Sequence, residues 1–234
     1  MKLVWCPDMA SKAYIDGVRA IAAADYSDGG SAELIAAMAG GWNAQLIVDA
    51  PADSATLPPP PSTPSPSPRP PATSLALAAA ALRTGGRYAR LDAHSDESAA
   101  AKAMARLEGV DLLVLDARRR DAAAGLRAAR PGPRGMVVVV RHADTTVSAS
   151  GSAAPPWGRM AAGTRLVRAA YLPVGAGGLE VLHVGVGEGP SLPTTAQQHQ
   201  QGHSSGSRRR HGRGGRWIRH VNHRTGEEHV FRRQ

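Results

Sequence analysis

Three carboxylates close apolar runs: Asp49 ends QLIVD, Asp92 ends RYARLD, and Asp116 ends the run Val110–Leu115. In open α/β sheets ligands gather at the carboxyl ends of strands, so Asp116, followed at once by Arg118–Arg120, is the first candidate for a site. The plainer alternative is a solvated aspartate that merely stops the strand. Two glycine-rich stretches, VGAGG at 174–178 and GVGEG at 185–189, carry part of a dinucleotide fingerprint. A phosphate loop must pass from a strand into a helix whose first amides face the anion. The first stretch instead leads into another strand pattern and the second into a polar tract, so both read as turns. His220, His223 and His229 lack a cysteine or carboxylate partner at ligand spacing, and no metal site is expected there. No Ser-His-Asp or Cys-His arrangement follows from spacing alone.

These residues need a scaffold, and the pattern of the chain supplies one. Val110–Leu115 is a nearly unbroken branched apolar run, the habit of a strand covered on both faces in a parallel sheet. Met136–Val140 lies one helix further on, over Arg120–Arg130, so the two make a β-α-β unit that Pro131 closes. Upstream, Asp8–Ile21 is a helix with Asp8 placed to cap it, and Ser31–Ala39 is a second helix with Ser31 as cap and Gly40-Gly41 as stop. Gln45–Val48 and Arg87–Leu91 read as strands that end on Asp49 and Asp92. Thr73–Arg83 is an alanine-rich helix, and Ser95–Leu107 another with Ser95 as cap and Glu97 near its start. Arg165–Val174 and Leu179–Val186 flank PVGAGG as an antiparallel pair, and Trp217–Val221 with Glu228–Arg232 alternate around a turn, a hairpin signal.

Composition sets the limits. The chain has 234 residues, 42% of them apolar but only 4% aromatic, so its core is built from alanine and aliphatics. Pro51–Pro71 cannot continue a helix or sheet and reads as an extended insertion, dispensable to the fold. Residues 188–215 are disordered on composition, and Asp144–Trp157 is a polar loop. The net charge of +9 suggests a nucleic-acid binder until it is located: residues 208–234 hold nine Arg against Glu227 and Glu228, a balance of +7. The body is nearly neutral, and polyanion contact is an expectation for the tail at 208–234 alone. The single cysteine, Cys6, excludes an internal disulfide. No apolar run reaches bilayer length, and MKLVWCPD has no signal-peptide or transit character, so a cytoplasmic or nuclear location is the default. The expectation is a Rossmann-like α/β domain over 1–187 with a mostly parallel sheet and a final antiparallel strand pair. The linker 188–215 and a basic C-terminal hairpin over 216–234 complete the chain.

AQLIVDA, GRYARLDA, VDLLVLDARRRD, RGMVVVV and RLVRAAYLPVGAGGLEVLHVG follow one another in an order that resembles the S-adenosylmethionine-dependent O-methyltransferases of the catechol and caffeoyl-CoA type. The match is closest at YLPVGAGGLEV, similar to that group's final strand pair. KLVWCPDMASKAYIDGV, SAELIAAMAGGWNAQLIVDA and RWIRHVNHRTGEEHVF resemble a plant family of uncharacterised proteins placed in the same superfamily by similarity. The resemblance implies that Asp49, Asp92 and Asp116 are cofactor-binding residues. Asp92 would accept from the ribose hydroxyls, and Asp116 would stand near the methyl donor. Three carboxylates along one sheet edge suit a cofactor with a sulfonium cation and a diol.

The chain also departs from that pattern. Where a glycine loop should follow the first strand, Ala50 runs into the proline insertion. Only one helix separates the second strand from the central one, so an edge strand of the usual sheet is missing. The strand after the central one ends on Arg141-His142 where the metal-dependent group keeps oxygen ligands, and the family's lysine base falls at Arg119, which stays protonated. Metal-assisted catechol chemistry is therefore not expected, and the catalytic residues stay open. Three readings remain: a methyltransferase-superfamily protein that binds S-adenosylmethionine, a non-catalytic binding or scaffold member, and an RNA- or membrane-associating protein working through its Arg-rich tail.

Overall fold

Strand parity sorts the apolar side chains of this chain onto two faces, and the helices follow. A computed structural model describes residues 4–26, 30–52, 70–92, 96–143, 160–175 and 177–187, with the backbone of 217–221 and 228–232. The contacts divide the chain into two units, Met1–His199 and Gln200–Gln234. In the first unit the elements run α1 (Pro7–Ala23), α2 (Ser31–Gly41), β1 (Leu46–Ala50), α3 (Ala72–Thr84), β2 (Arg87–Arg90), α4 (Glu97–Ala105), β3 (Glu108–Val110) and β4 (Leu112–Asp116). They continue with α5 (Ala122–Ala128), β5 (Arg130–Pro131), β6 (Met136–Arg141), β7 (Thr164–Leu172) and β8 (Leu179–Val186).

Six strands form one sheet in the order β2-β1-β4-β6-β8-β7. The first four are mutually parallel, and β8 runs antiparallel to both β6 and β7. This is the expected Rossmann-like sheet with its reversed final pair. On the far side of β2 no further strand is paired among the described residues, as the single helix between β2 and β4 leads one to expect.

Alternation along each strand sends Ile47, Leu112, Val114, Val137 and Val139 into one core with α1, α2 and α3. Leu46, Val48, Leu113, Leu115, Val138 and Val140 enter a second core with Met104 of α4 and Leu126 of α5. A strand covered on both faces has no polar side to show, which is why β4 and β6 read as unbroken apolar runs. The low aromatic content has its counterpart where helices meet. Ala10, Ala13 and Gly17 of α1, Ala36, Ala39 and Gly40 of α2, and Ala76 and Ala80 of α3 are buried. Small side chains let these three helices approach closely.

Several local expectations are corrected. The run Val110–Leu115 is two strands, broken at Asp111. The Asp111 carboxylate accepts the backbone N–H of Gln45 at 2.8 Å and of Leu46 at 3.2 Å, which pins the start of β1 to the start of β4. The first helix begins at Pro7 with Cys6 as its N-cap, so Asp8 sits in the first turn and does not cap. There it favours the positive end of the helix dipole. Ser31 is likewise the first helical residue rather than the cap, and Glu33 reaches back to the Gly30 N–H at 2.6 Å. The cap of α4 is Asp96, which accepts from the Ser98 N–H at 2.9 Å. Helix α5 is shorter than expected at both ends. Asp121 is engaged by Arg119 in front of it, and Arg130, preceding Pro131, pairs with Glu108 of β3 instead of continuing the helix. VGAGG is a turn joining β7 to β8, with Gly175, Gly177 and Gly178 at positive φ.

In the second unit β9 (Trp217–Val221) and β10 (Glu228–Arg232) pair antiparallel, with His229 opposite His220. The interior of the proline insertion, the loop 144–157, the linker 188–215 and Ser95 lie outside the described residues. Among the described residues no helix is long and apolar enough to cross a membrane, and no group of three His, Cys, Asp or Glu could hold a metal ion.

Candidate functional site

The alternation that fills the core also aims charges. Asp49 follows Ile47 by two residues, Asp116 follows Val114, and Arg141 follows Val139, so all three fall on the face that carries α1–α3. Asp116 and Arg141 are register partners on adjacent strands. The sequence thus brings two acids and one base together at the carboxyl end of the parallel strands, where open α/β sheets place ligands.

Each carboxylate then meets a different fate. Asp49 is 1% exposed, and its Oδ2 accepts from the Ser74 hydroxyl of α3 at 2.5 Å and the Tyr88 hydroxyl of β2 at 2.9 Å. Burial pushes its pKa up, against the pull of those two hydroxyls and of the Arg141 and Arg90 charges. Burial, followed by the Asp49 charge, also pushes the Tyr88 phenol up. Asp116 is equally buried, but a guanidinium and an imidazole lie against it. Arg118 donates to it through Nε at 2.9 Å, through its second guanidinium nitrogen at 2.8 Å and through its backbone N–H at 3.0 Å. His142 Nδ1 lies 3.2 Å from the other side of the carboxylate. Burial works to raise this pKa, and the bonds from His142 and Arg118 outweigh it, holding the carboxyl well below the usual range. His142 reaches its position through a left-handed backbone with φ of 57°, an unusual state for a residue with a side chain. Asp92 stands apart: its carboxylate is 80% exposed and meets Arg90 Nε at 3.2 Å.

The opposite directions at Asp49 and Asp116 give a pH test. A lowered carboxyl stabilises the fold above its unfolded pKa, about 3.9, and that contribution is lost as pH falls toward the folded value. A raised carboxyl does the reverse: its contribution is present below about pH 4 and is lost as pH rises through the folded value. Asp116→Asn should therefore be less stable than the wild type at neutral pH, with the gap narrowing in acid. Asp49→Asn, which keeps an oxygen for Ser74 and Tyr88, should be at least as stable at neutral pH and lose that advantage in acid. Urea unfolding across a pH series checks both, and parallel curves for the two variants would refute the assignment.

Arg119 joins what these acids do not. Its side chain is 4% exposed and forms a two-pronged pair with Asp121, 2% exposed, at 2.8 and 2.7 Å. The same guanidinium donates to the carbonyl of Pro51 at 2.9 Å, of Leu91 at 2.8 Å and of Asp92 at 3.1 Å. Those carbonyls follow β1 and β2. Because α3 and α5 cover opposite faces of the sheet, the chain reverses its winding between β1 and β4, and the crevice that such a reversal opens is the usual ligand position. Arg119 leaves β4 and closes the strand ends there with hydrogen bonds.

The open space lies beside it. A cleft of about 450 Å³ has Asp116, Arg118, Arg141 and His142 among its lining residues. Ser31 and Ala32 at the start of α2, with Ala72 and Thr73 at the start of α3, supply further wall. The β7–β8 turn closes it through Val174, Gly175 and Gly178. Both helices thus present their positive ends to the cleft. Asp116 is the one sequence-expected residue among its lining; Asp49 lies behind it and Asp92 does not border it. Among the described residues no hydrogen bond or ion pair holds the Arg141 guanidinium. Burial lowers its pKa, partly offset by the Asp116 and Asp49 charges.

Sequence reasoning missed Ser74 and Tyr88 as partners of Asp49, and it took Arg141-His142 only as an obstacle to a metal. The one available signal for the grip on Asp116 and Asp121 is the spacing in LDARRRD, where Asp116 precedes Arg118 and Arg119 precedes Asp121 by two residues each.

Comparison with known proteins gives three results. No curated protein matches the chain. A solved structure, cofactor-bound Rv0187 from MTB, aligns over 73% of this chain and 88% of its own at 15% identity and a TM-score of 0.39, a likeness too loose to bear on the site. A family model matches residues 1–98 and 95–233, which is nearly the whole sequence. The chain belongs to that family, described as Protein of unknown function (DUF1442).

Proposed function

We propose that this chain is a non-catalytic small-molecule-binding protein on a methyltransferase-like scaffold. The observation that carries the reading is Arg119, whose guanidinium ties the carbonyls after β1 and β2 together at the crevice. The residues present do not fit S-adenosylmethionine. A sulfonium cation needs unspent negative charge, but Asp116 is already paired with Arg118, with His142 against it, and Asp49 holds two hydroxyls. Arg118 and Arg141 add positive charge to the neighbouring cleft. After β1 the chain continues through Pro51, whose carbonyl is occupied, rather than through glycines that admit a ligand to the backbone.

One observation favours a rival reading in which the cofactor does bind: the Asp92 carboxylate is 80% exposed and can accept ribose hydroxyls. Calorimetric titration of S-adenosylmethionine and S-adenosylhomocysteine into wild type and Asp92→Ala separates the two. The expected result is no binding tighter than about millimolar, which is about −4 kcal/mol. Tighter binding that falls about tenfold or more in Asp92→Ala, the loss of one charged-acceptor bond, would establish the rival. The +7 tail at 208–234 is an independent candidate for polyanion contact, local to the second unit.

A further inference from the structure

We infer that the cleft beside Asp116 is a binding site for a small organic oxyanion, a phosphate or carboxylate on a compact apolar body, with Arg141 as its anchor. This deepens the reading of the chain as a small-molecule-binding protein and rests on it.

The inference starts from charge. Asp116, Arg118, Arg141, His142 and Tyr26 are the charged or titratable groups that border the cleft, and the Tyr26 hydroxyl donates to the Pro70 carbonyl. Asp116 and Arg118 satisfy each other in a two-pronged pair, and His142 lies against the same carboxylate. That leaves Arg141 over. It sits at the end of an interior strand, next to Asp116 in register, and its guanidinium has no hydrogen bond or ion pair among the described residues. The side chain is half-buried and feels the Asp116 and Asp49 charges, yet its five donors make no hydrogen bond among the described residues and so stay open to a ligand's oxygens. The planar fork suits two oxygens of one carboxylate or phosphate, which would supply what the protein does not.

The walls fit the same ligand. The first residues of α2 and α3 border the cleft; Glu33 already meets the start of α2, so the positive end of α3 is the one that adds to the field of Arg141. Beyond them Pro51, Ala52 and Leu179 offer apolar surface, which asks for a ligand with a body as well as a charged head. The volume of about 450 Å³ lies within the range of small-molecule sites. A free inorganic ion would leave most of it empty.

The test uses the full chain with three probes: phenyl phosphate, benzoate and inorganic phosphate, titrated calorimetrically at physiological ionic strength. At least one organic anion should bind more tightly than inorganic phosphate, and whichever of the two binds tells phosphate from carboxylate recognition. Arg141→Met should weaken that binding by about tenfold or more, while its far-UV circular dichroism stays that of the wild type. Should Arg141→Met fail to fold, Arg141→Lys, which keeps the charge and loses the fork, and Ala52→Trp, which fills the half-buried rim, should each weaken binding. Failure of the wild type to bind either organic anion overturns the proposal. So does binding that is equal in wild type and Arg141→Met, since the unchanged Arg-rich tail would then be the receptor. Displacement of phenyl phosphate or benzoate by S-adenosylhomocysteine would overturn the non-catalytic reading alone and leave Arg141 as the anchor of that ligand's carboxylate.

Discussion

Replacing Arg119 with methionine is expected to cost the fold about 3–5 kcal/mol, the range for breaking a buried ion pair from one side. The loss has two parts. Asp121, 2% exposed, keeps its charge without the guanidinium that balances it, and the carbonyls of Pro51, Leu91 and Asp92 lose a donor together. Arg119→Lys should recover little, because one ammonium cannot reach Asp121 and three carbonyls in the directions a planar fork serves. Urea unfolding of both variants at neutral pH measures the effect. A loss below about 1 kcal/mol, the scale of an exposed ion pair, would show that Arg119 does not tie the strand ends. Removing both partners in Arg119→Met/Asp121→Leu should cost less than the single change, since the buried carboxylate is removed together with its guanidinium.

Gly40→Ala is the second large effect, and intuition has its sign backwards. Alanine in place of glycine inside a helix gains about 1 kcal/mol of helix propensity. At position 40, however, a Cβ would stand 2.5 Å from the Ala13 Cβ and 2.5 Å from the Met9 carbonyl oxygen. The obstacle is the backbone of α1, which cannot rotate aside as a long side chain would. The helices must separate, and overpacking of this kind costs about 1–3 kcal/mol. A net destabilisation is therefore expected, larger for Gly40→Leu. Gly17→Ala is the control, since its Cβ would meet the Ala36 methyl at 3.2 Å and nothing closer. Thermal unfolding that ranked Gly40→Ala above the wild type would mean that α1 and α2 do not pack as described.

The strands were legible because burial on both faces leaves a mark on every residue. The unbroken runs of β4 and β6 and the reversed pair β7 and β8 follow from local pattern, and so does a sheet that ends at β2 among the described residues. What the carboxylates do was not legible, for a reason of distance along the chain. Ser74 lies 25 residues from Asp49 and Tyr88 lies 39, while Arg119 reaches a carbonyl 68 residues away. A strand end shows only where a side chain starts; its partners come from whichever loops the helices deliver. Helix starts were misread by one or two residues for the opposite reason, since Asp8, Ser31 and Ser95 are all plausible caps on composition, while the turn of the backbone places the caps at Cys6, Gly30 and Asp96. Arg141 carried a visible sign, a base at the end of an apolar strand, but it mattered only once the neighbours of that base were known to be engaged elsewhere.

The Pro51 carbonyl is held by Arg119, and at the other end of the same connection the Tyr26 hydroxyl donates to the Pro70 carbonyl at 2.5 Å. The connection between β1 and α3 is therefore fastened at both of its described ends, beside the cleft. Closure entropy grows only by about 0.6 kcal/mol for each doubling of loop length. A change of length between the two fastened ends is therefore expected to cost little in folding, whereas loss of either fastening should loosen a wall of the cleft.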